Sequence, residues 1–365
     1  MAFPTFGQKR RRKRRSEKAK RSEVGAPPGE LVADPEAEAS TLSVFGIGNG
    51  RHERIENTDI ETALAKREEW PLVWIDLSGL SDIDLVRRIG SAFGLHDLAL
   101  EDVVNTDQRP KCDAYENHTF FVMRMIDTEG RSKQFSMFFG DGFVLSFQES
   151  KGRDFEQVRK RIEKGAPRLH TGRSDYLAYA LIDTVVDTYF LVMDPLTEKI
   201  DRLEEEIFED VDVVQVPELH AMRRDLLHMK RLIRPTRDAL NALIRLDRPW
   251  LSEETKVYLA DVQDHCDQLI DIDDTYRDNA SGLVDLHMTL TAAKTNEVIN
   301  LLTFVSAIFI PLGFLAGLWG MNFDPTISPW NMPLTQSPFG YPIALGIMLV
   351  IAIGLLVYFK KKKWI

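Results

Sequence analysis

The residues whose types and spacing could do chemistry lie toward the end of the chain. Gly320-Met321-Asn322 opens a loop, Gly320 to Gly340, that holds one acid, Asp324, and no Lys or Arg. A side-chain amide and a backbone carbonyl there are neutral oxygen acceptors. Ahead of the loop, Asp285, Thr289, Ala292, Asn296, Ile299, Thr303, Ser306, Ile310, Gly313 and Gly317 follow one another at intervals of four and three. These are mostly polar or small, while the flanking Val298, Leu301, Phe304, Val305, Phe309 and Leu312 are bulky and apolar. In lipid, polar groups face protein or a water-filled path, so the stripe is expected to line a pore. Tight packing through small residues accounts for Gly313 and Gly317 as well, but poorly for Asp285, Asn296 and Thr303. Rings of Ile299, Leu302 and Ile310 from neighbouring copies would close a constriction that excludes hydrated ions by dewetting. Asp285 and Asn296 would hold a cation on its inner side.

Two elements must position these groups. Val298 to Trp319 and Tyr341 to Phe359 are each about the ~20 residues needed to span a bilayer as helix. Lys360-Lys361-Lys362-Lys363 follows the second run, and the loop between the runs lacks basic residues. By the positive-inside rule both termini are cytoplasmic and the loop faces out. Two spans cannot enclose a pore, so transport requires an oligomer. From Ser252, an N-cap followed by Glu253 and Glu254, no proline occurs before Pro311. This predicts one helix from the cytoplasm to Trp319, on the order of 100 Å long; the competing expectation is a hinge near Gly282.

Upstream, Thr41 to Gly48, Leu72 to Leu77, Thr119 to Ile126, Lys133 to Phe139 and Gly142 to Gln148 read as strands, with a hairpin turn at Phe139-Gly140-Asp141-Gly142. Asp82 to Phe93, Leu98 to Val104 and Asp154 to Lys164 show helical spacing. The pattern then turns wholly helical, from about Ser174 to Phe208 and Pro217 to Leu246. The expected fold is thus an α/β cytoplasmic domain followed by long helices and a two-helix transmembrane hairpin, an α+β membrane protein in a funnel-shaped homo-oligomer. Its expected parts are a disordered basic tail (1–22), the α/β domain (23–170), a helical hairpin (171–250), a stalk helix (251–297), the first span (298–319), the outer loop (320–340), the second span (341–359) and a basic tail (360–365).

Of the 365 residues, with a formal net charge of −10, Lys9 to Arg21 contribute ten Lys or Arg against Glu17, so the rest carries −19. An acidic body suits cationic partners and argues against nucleic acid as the main ligand. The basic run Lys9 to Arg15 lacks the apolar stretch of a secretory signal and reads as a solvated tail; anionic lipid is the other reading. Cys112 and Cys266 make neither a disulfide framework nor a zinc pair. There is no Walker loop, no dinucleotide turn, and no nucleophile and base at a suggestive spacing, so no enzyme is expected. Acids crowd the stalk from Asp261 to Asp278, and like charges at those spacings repel.

Gly-Met-Asn after the first of two C-terminal spans, behind a large cytoplasmic domain, resembles the CorA family of divalent-cation channels, magnesium transporters above all. The resemblance extends to Ser22 to Gly29, Leu100 to Lys111, Asp175 to Ala180, Phe309-Ile310-Pro311-Leu312 and the lysine-rich end. It implies a pentamer in the cell (inner) membrane. It implies that Gly320, Met321 and Asn322 form the selectivity entrance, where Asn322 oxygens accept hydrogen bonds from a Mg2+ hydration shell without stripping it. It also implies a cytoplasmic Mg2+ sensor of Glu101, Asp102, Asp175 and Asp261, with His265 one turn later, that clamps adjacent subunits and holds the channel shut. The acids Glu204 to Asp212 would form a hairpin tip facing a basic ring of Lys360 to Lys363. Two departures bear on cargo. Asn331-Met332-Pro333-Leu334 stands where many relatives have Met-Pro-Glu, with Asp324 as partial substitute, and Gly313 stands where relatives often have threonine. Co2+, Ni2+ or Zn2+ therefore remain alternatives to Mg2+, although the stripe contains no Cys or His. A non-conducting membrane-anchored sensor is a third reading.

Overall fold

The computed structural model of the chain describes residues 27–362 other than 33, 128, 129, 153, 214, 215, 329, 333, 335 and 336. The basic run Lys9 to Arg15, Ser22 to Ala26 and Lys363 lie outside the described residues. The chain divides into two compact units, Met1–Val284 and Asp285–Ile365.

In the first unit the described residues form a seven-stranded sheet of β1 (Thr41–Gly48), β2 (Arg51–Ile55), β3 (Leu72–Ser78), β4 (Lys111–Ala114), β5 (His118–Ile126), β6 (Ser132–Gly140) and β7 (Phe143–Gln148). Their order is β2-β1-β3-β7-β6-β5-β4. Only the central β3–β7 pair is parallel among these. All five interior strands are those the branched and aromatic runs predict. The two edges, Arg-His-Glu-Arg-Ile and Lys-Cys-Asp-Ala, were not expected. They carry charge, which keeps an open edge from pairing further and also hides its strand signal. Asp141-Gly142 closes the β6–β7 hairpin, with Gly140 opposite Phe143 and Gly142 at φ 73°. Glycine adopts that left-handed φ without steric cost, which is why it stands at the second turn position.

Alternation along β3 sorts the layers. Val73, Ile75 and Leu77 join one core with Ile60 and Ala63 of α1 (Ile60–Glu69), Val86 and Ile89 of α2 (Ile83–Phe93), and Ala99 and Val103 of α3 (Asp97–Val104). The opposite pleat carries Trp74 and Asp76. Asp76 Oδ2 lies 2.6 Å from Arg159 Nη2 of α4 (Glu156–Glu163) and its Oδ1 accepts from Ser146 Oγ and Gln148 Nε2. This buried pair is fully hydrogen-bonded on the carboxylate side, the condition under which burying an ion pair is tolerable.

The remaining described helices are α5 (Ser174–Glu209), α6 (Val216–Ile244), α7 (Glu253–Trp319) and α8 (Gly340–Lys361). Three helices, α5, α7 and α8, are long and apolar enough to cross a membrane, where the sequence predicts two spans. Half of the apolar window of α5 is buried within the first unit, against 0% for α7 and 6% for α8. The hydropathy of α5 therefore serves the core: Leu177, Leu181, Val185 and Tyr189 pack inward, and Tyr189 Oη donates to the Arg124 carbonyl of β5. Ser252 caps α7, its Oγ accepting the Thr255 N–H at 3.1 Å. Helix α7 passes through Gly282 without interruption, so the hinge does not form, and Pro311 is accommodated within it.

Candidate functional site

In the second unit, α7 presents its faces unequally. Phe304, Ala307, Ile308, Pro311, Leu312, Leu315 and Trp319, spaced for one helical face, are half-buried, and the Phe304 ring meets Phe359 of α8 edge-on at 5.1 Å. The predicted stripe lies elsewhere. Asp285, Thr289, Asn296, Ile299, Thr303, Ile310, Gly313 and Gly317 are all exposed in the single chain, as are Leu302 and the flanking Val298, Leu301, Val305 and Phe309, and within the stripe Ser306 alone is intermediate. Within this unit, then, the polar and small residues are not the ones that pack the two apolar helices together. Thr289 Oγ1 donates to the Asp285 carbonyl at 2.8 Å and Thr303 Oγ1 to the Ile299 carbonyl at 2.7 Å. Each hydroxyl proton is thereby spent on the helix backbone, leaving an oxygen lone pair facing outward. A face of outward acceptor oxygens suits a hydrated cation and is poor for an anion.

At the end of the stripe, Gly320 and Met321 close α7 through N–H bonds to the Ala316 carbonyl at 3.0 Å and the Leu318 carbonyl at 3.4 Å. Asn322 is exposed, and its side chain makes no hydrogen bond to another described residue. Asp324 organises the loop. Its Oδ1 accepts from Thr326 N at 2.8 Å and Thr326 Oγ1 at 2.7 Å, which lowers its pKa, while its carbonyl accepts from Asn331 Nδ2 at 2.8 Å. The carboxylate stays ionised and exposed three residues before Ile327. In the departure segment, Met332 and Leu334 have φ of 45° and 79°. A Cβ on Gly340 would collide with the Leu334 carbonyl, so glycine is required where the loop re-enters α8. Lys360 and Lys361 fill the last turn of α8, where positive charge complements the helix dipole.

The predicted sensor residues all lie in the first unit, and the structure gives them unequal freedom. Glu101 Oε2 accepts the Gly29 N–H at 2.7 Å, which ties the Pro27-Pro28-Gly29 segment to α3. Asp102 Oδ2 pairs with Lys111 Nζ at 2.7 Å. Asp261 is exposed, with His265 Nε2 4.0 Å from its Oδ2 and the His265 ring against Phe190. Asp175 differs from these. Only 1% of its side chain is exposed; Oδ2 accepts from Ser252 N at 2.9 Å, Ser252 Oγ at 2.7 Å and Arg173 Nη2 at 2.8 Å, and Oδ1 from Tyr176 N at 2.8 Å. Burial would raise its pKa, but the bonds from Arg173 and Ser252 prevail and lower it. Asp175 thus joins the N-termini of α5 and α7, and a metal ion bound there would have to displace these donors.

The acid of α5 whose field reaches Asp261 is Asp183, which sequence reasoning missed. Burial first, then Asp187 one turn away, push its carboxyl up to about 6, against His265 and Arg161. Asp187 is raised as well by burial, with His265 opposing. The available signal was two acids spaced i, i+4 inside an apolar run that is otherwise core. Among the described residues of one chain, no three His, Cys, Asp or Glu side chains come close enough to hold a metal ion. Two of the stalk acids are answered by α6: Asp274 pairs with Lys230 and Arg234, and Asp267 with Arg237. Cys112 and Cys266 are free thiols that burial pushes up to about 12, so both are inert.

Comparison with known proteins places this geometry. The chain matches the family model described as CorA-like Mg2+ transporter protein over residues 71–361. It is 38% identical over 355 residues to the cobalt/magnesium transport protein CorA of Thermotoga maritima, covering 96% of this chain and 99% of that one. The zinc transport protein ZntB of Yersinia enterocolitica is 20% identical over 74% of this chain and 81% of its own. The structure of the CorA magnesium transporter from Methanocaldococcus jannaschii superposes with a TM-score of 0.73 at 20% identity, covering 89% of this chain and 98% of that one. With apolar helices α7 and α8 following a mixed-sheet unit, and a family model that spans most of its length, the chain belongs to the CorA-like Mg2+ transporter family.

Proposed function

We propose that copies of this chain assemble as a homopentamer in the cell (inner) membrane and form a channel that admits Mg2+, with both termini cytoplasmic and the Gly320-Met321-Asn322 loop outside. The observation that carries this reading is the face of α7 from Asp285 to Gly317, mostly polar or small, left uncovered by the chain's own packing and ending beside an exposed Asn322. Five such faces around one axis would line a path with neutral oxygens. These accept hydrogen bonds from the waters of an ion that dehydrates reluctantly, and hold it weakly enough to release. Ile299, Leu302 and Ile310 supply the apolar rings that close the path when dry. No energy source is needed, since a divalent cation gains about 4.6 kcal/mol per 100 mV on entering a negative interior, twice the single-charge ~2.3.

Internal Mg2+ closes the channel by binding between subunits. Glu101 and Asp102 of one subunit meet Asp261 and His265 of its neighbour, with Asp183 in the place first expected for Asp175. Hard carboxylate oxygens without thiolate suit Mg2+. The Asp102–Lys111 pair sets a competition: the ion must displace an ammonium, which keeps the affinity low, as a sensor of an abundant cation requires. A cobalt cargo, or the zinc cargo suggested by the ZntB relative, uses the same path. Absence of Cys and His from the stripe favours the harder ion. Uptake into liposomes loaded with a Mg2+-sensitive or a Zn2+-sensitive dye tests the reading. Mg2+ entry that stops when the lumenal face corresponding to the cytoplasm is loaded with Mg2+ is the expected result; Zn2+ entry without Mg2+ entry would transfer the assignment to zinc, and no entry of either would overturn conduction.

A further inference from the structure

The seam between α6 and α7 pairs its charges closely, with one member left over. Lys230 Nζ bonds Asp274 Oδ1, Arg234 Nη2 lies 3.0 Å from Asp274 Oδ2, and Arg237 Nη1 lies 3.3 Å from Asp267 Oδ1. Arg277, on α7 itself, reaches Asp274 Oδ1 at 3.3 Å. Asp273, the next residue along α7, is 0% exposed, and neither of its carboxylate oxygens has a hydrogen-bond partner. It sits in line with Leu269, Ile270 and Ala280, which are buried on the same helix.

An ionised carboxylate cannot remain dry and unpaired at little cost. It either finds a donor or takes up a proton. The nearby cations, Lys230, Arg234 and Arg277, direct their donors to Asp274 and none reaches Asp273, so the first route is not taken in the packed seam. We propose that Asp273 is a proton-operated latch in the α6–α7 seam: neutral, it lets the two helices close over it; ionised, it drives the seam open to water. This inference stands apart from the transport reading, because it concerns packing within the first unit alone.

The charged surroundings fix its direction. Burial, then Asp274, push the Asp273 carboxyl up to about 6, while Lys230 and Arg234 from α6 and Arg277 from α7 pull the other way. From α5, Asp201 reaches the same stretch of α7, its Oδ2 accepting from the Tyr276 hydroxyl at 3.5 Å. A carboxyl whose folded-state pKa is raised stabilises the packed seam most below its ordinary value of 3.8. That stabilisation fades as pH climbs toward about 6 and is level above it. Near neutrality the seam is therefore in its weakened state, and acidification tightens it. Helix α7 continues beyond the seam to Trp319, so a closed seam fixes the upstream part of the same helix that carries the polar stripe.

Hydrogen exchange of the full-length chain in detergent, read by mass spectrometry and corrected for intrinsic exchange rates, tests the latch. Between about pH 5 and about pH 7.5, opening of the wild-type seam on α6 and α7 is expected to rise about tenfold, as follows from linkage between the open-state and packed-state pKa values. Asp273→Asn and Asp273→Leu, both unable to ionise, are expected to remove that rise, and either suffices if the other fails to fold. Three results would overturn the latch: a wild-type seam whose opening is independent of pH, a rise that persists in the folded variant, or a rise spread evenly over the β-sheet as well as the seam.

Discussion

Replacing Asp175 by Ala separates a structural acid from a metal ligand. The change removes a carboxylate that is 1% exposed and accepts from Ser252 N, Ser252 Oγ, Tyr176 N and Arg173. Hydrogen bonds to a charged acceptor contribute about 1.5–3 kcal/mol each, but two of the donors, Ser252 Oγ and Tyr176 N, sit at helix starts where water can replace the partner. The Arg173 guanidinium is about half exposed, so its ion pair adds little beyond that. The net loss is about 3–5 kcal/mol, roughly that of two such bonds to a charged, buried acceptor. For a unit of this size that corresponds to roughly 6–20 °C in the unfolding midpoint of the full-length chain in detergent, at roughly 2–4 °C per kcal/mol. Asp175→Asn keeps an acceptor and should lose about half as much. Because the folded-state pKa of Asp175 is lowered, its stabilisation is present above the ordinary carboxylate value and is lost as pH falls through the folded value. The wild-type advantage over Asp175→Ala should accordingly shrink in strong acid. The same shift with EDTA and with Mg2+ is expected. An unchanged midpoint, or a shift seen only with Mg2+ present, would refute the capping role and restore Asp175 as a ligand.

Two further outcomes follow from the geometry. Ile299→Asp or Leu302→Asp is expected to hydrate the constriction, giving a channel that leaks in high internal Mg2+; closure as complete as in wild type, measured by flux, would move the gate elsewhere on the stripe. Asp102→Asn combined with Asp261→Asn should raise the inhibitory Mg2+ concentration at least several-fold without changing which ion permeates, since a ligand shifts an equilibrium only through its differential affinity for the two states. An inhibition curve identical to wild type would mark both acids as ordinary surface.

Much of the fold was legible because its strongest elements carry unmixed signals. The interior strands are runs of Val, Ile and Phe, and α7 is uninterrupted because Ser252 starts it and nothing before Pro311 could stop it. What stayed hidden carries mixed signals. Strands β2 and β4 are charged edges, and α1, Ile-Glu-Thr-Ala-Leu-Ala-Lys-Arg-Glu-Glu, buries only Ile60 and Ala63, too few to set a period. The polar stripe on α7 was legible because a membrane segment has few reasons to carry Asn296 or Thr303. The setting of the candidate acids was legible only in part. Asp175 and Asp183 are both acids on an apolar helix, and sequence spacing does not reveal that one is consumed by Ser252 at the next helix start while the other faces Asp261. Nor does it reveal that Asp274 and Asp267 find their partners on α6, since pairing across an antiparallel seam depends on a register that only packing sets.

The central claim, that hydrated Mg2+ enters past Asn322 along the uncovered face of α7, is tested most directly by Mg2+ flux into liposomes containing either wild type or Asn322→Leu. Asn322 is exposed and its side chain is hydrogen-bonded to no described residue, so the variant should fold and assemble with unchanged size on gel filtration. Loss of Mg2+ uptake at least tenfold in that intact oligomer is the expected result. Wild-type uptake by the variant would contradict the account and place the selective contact with the ion elsewhere.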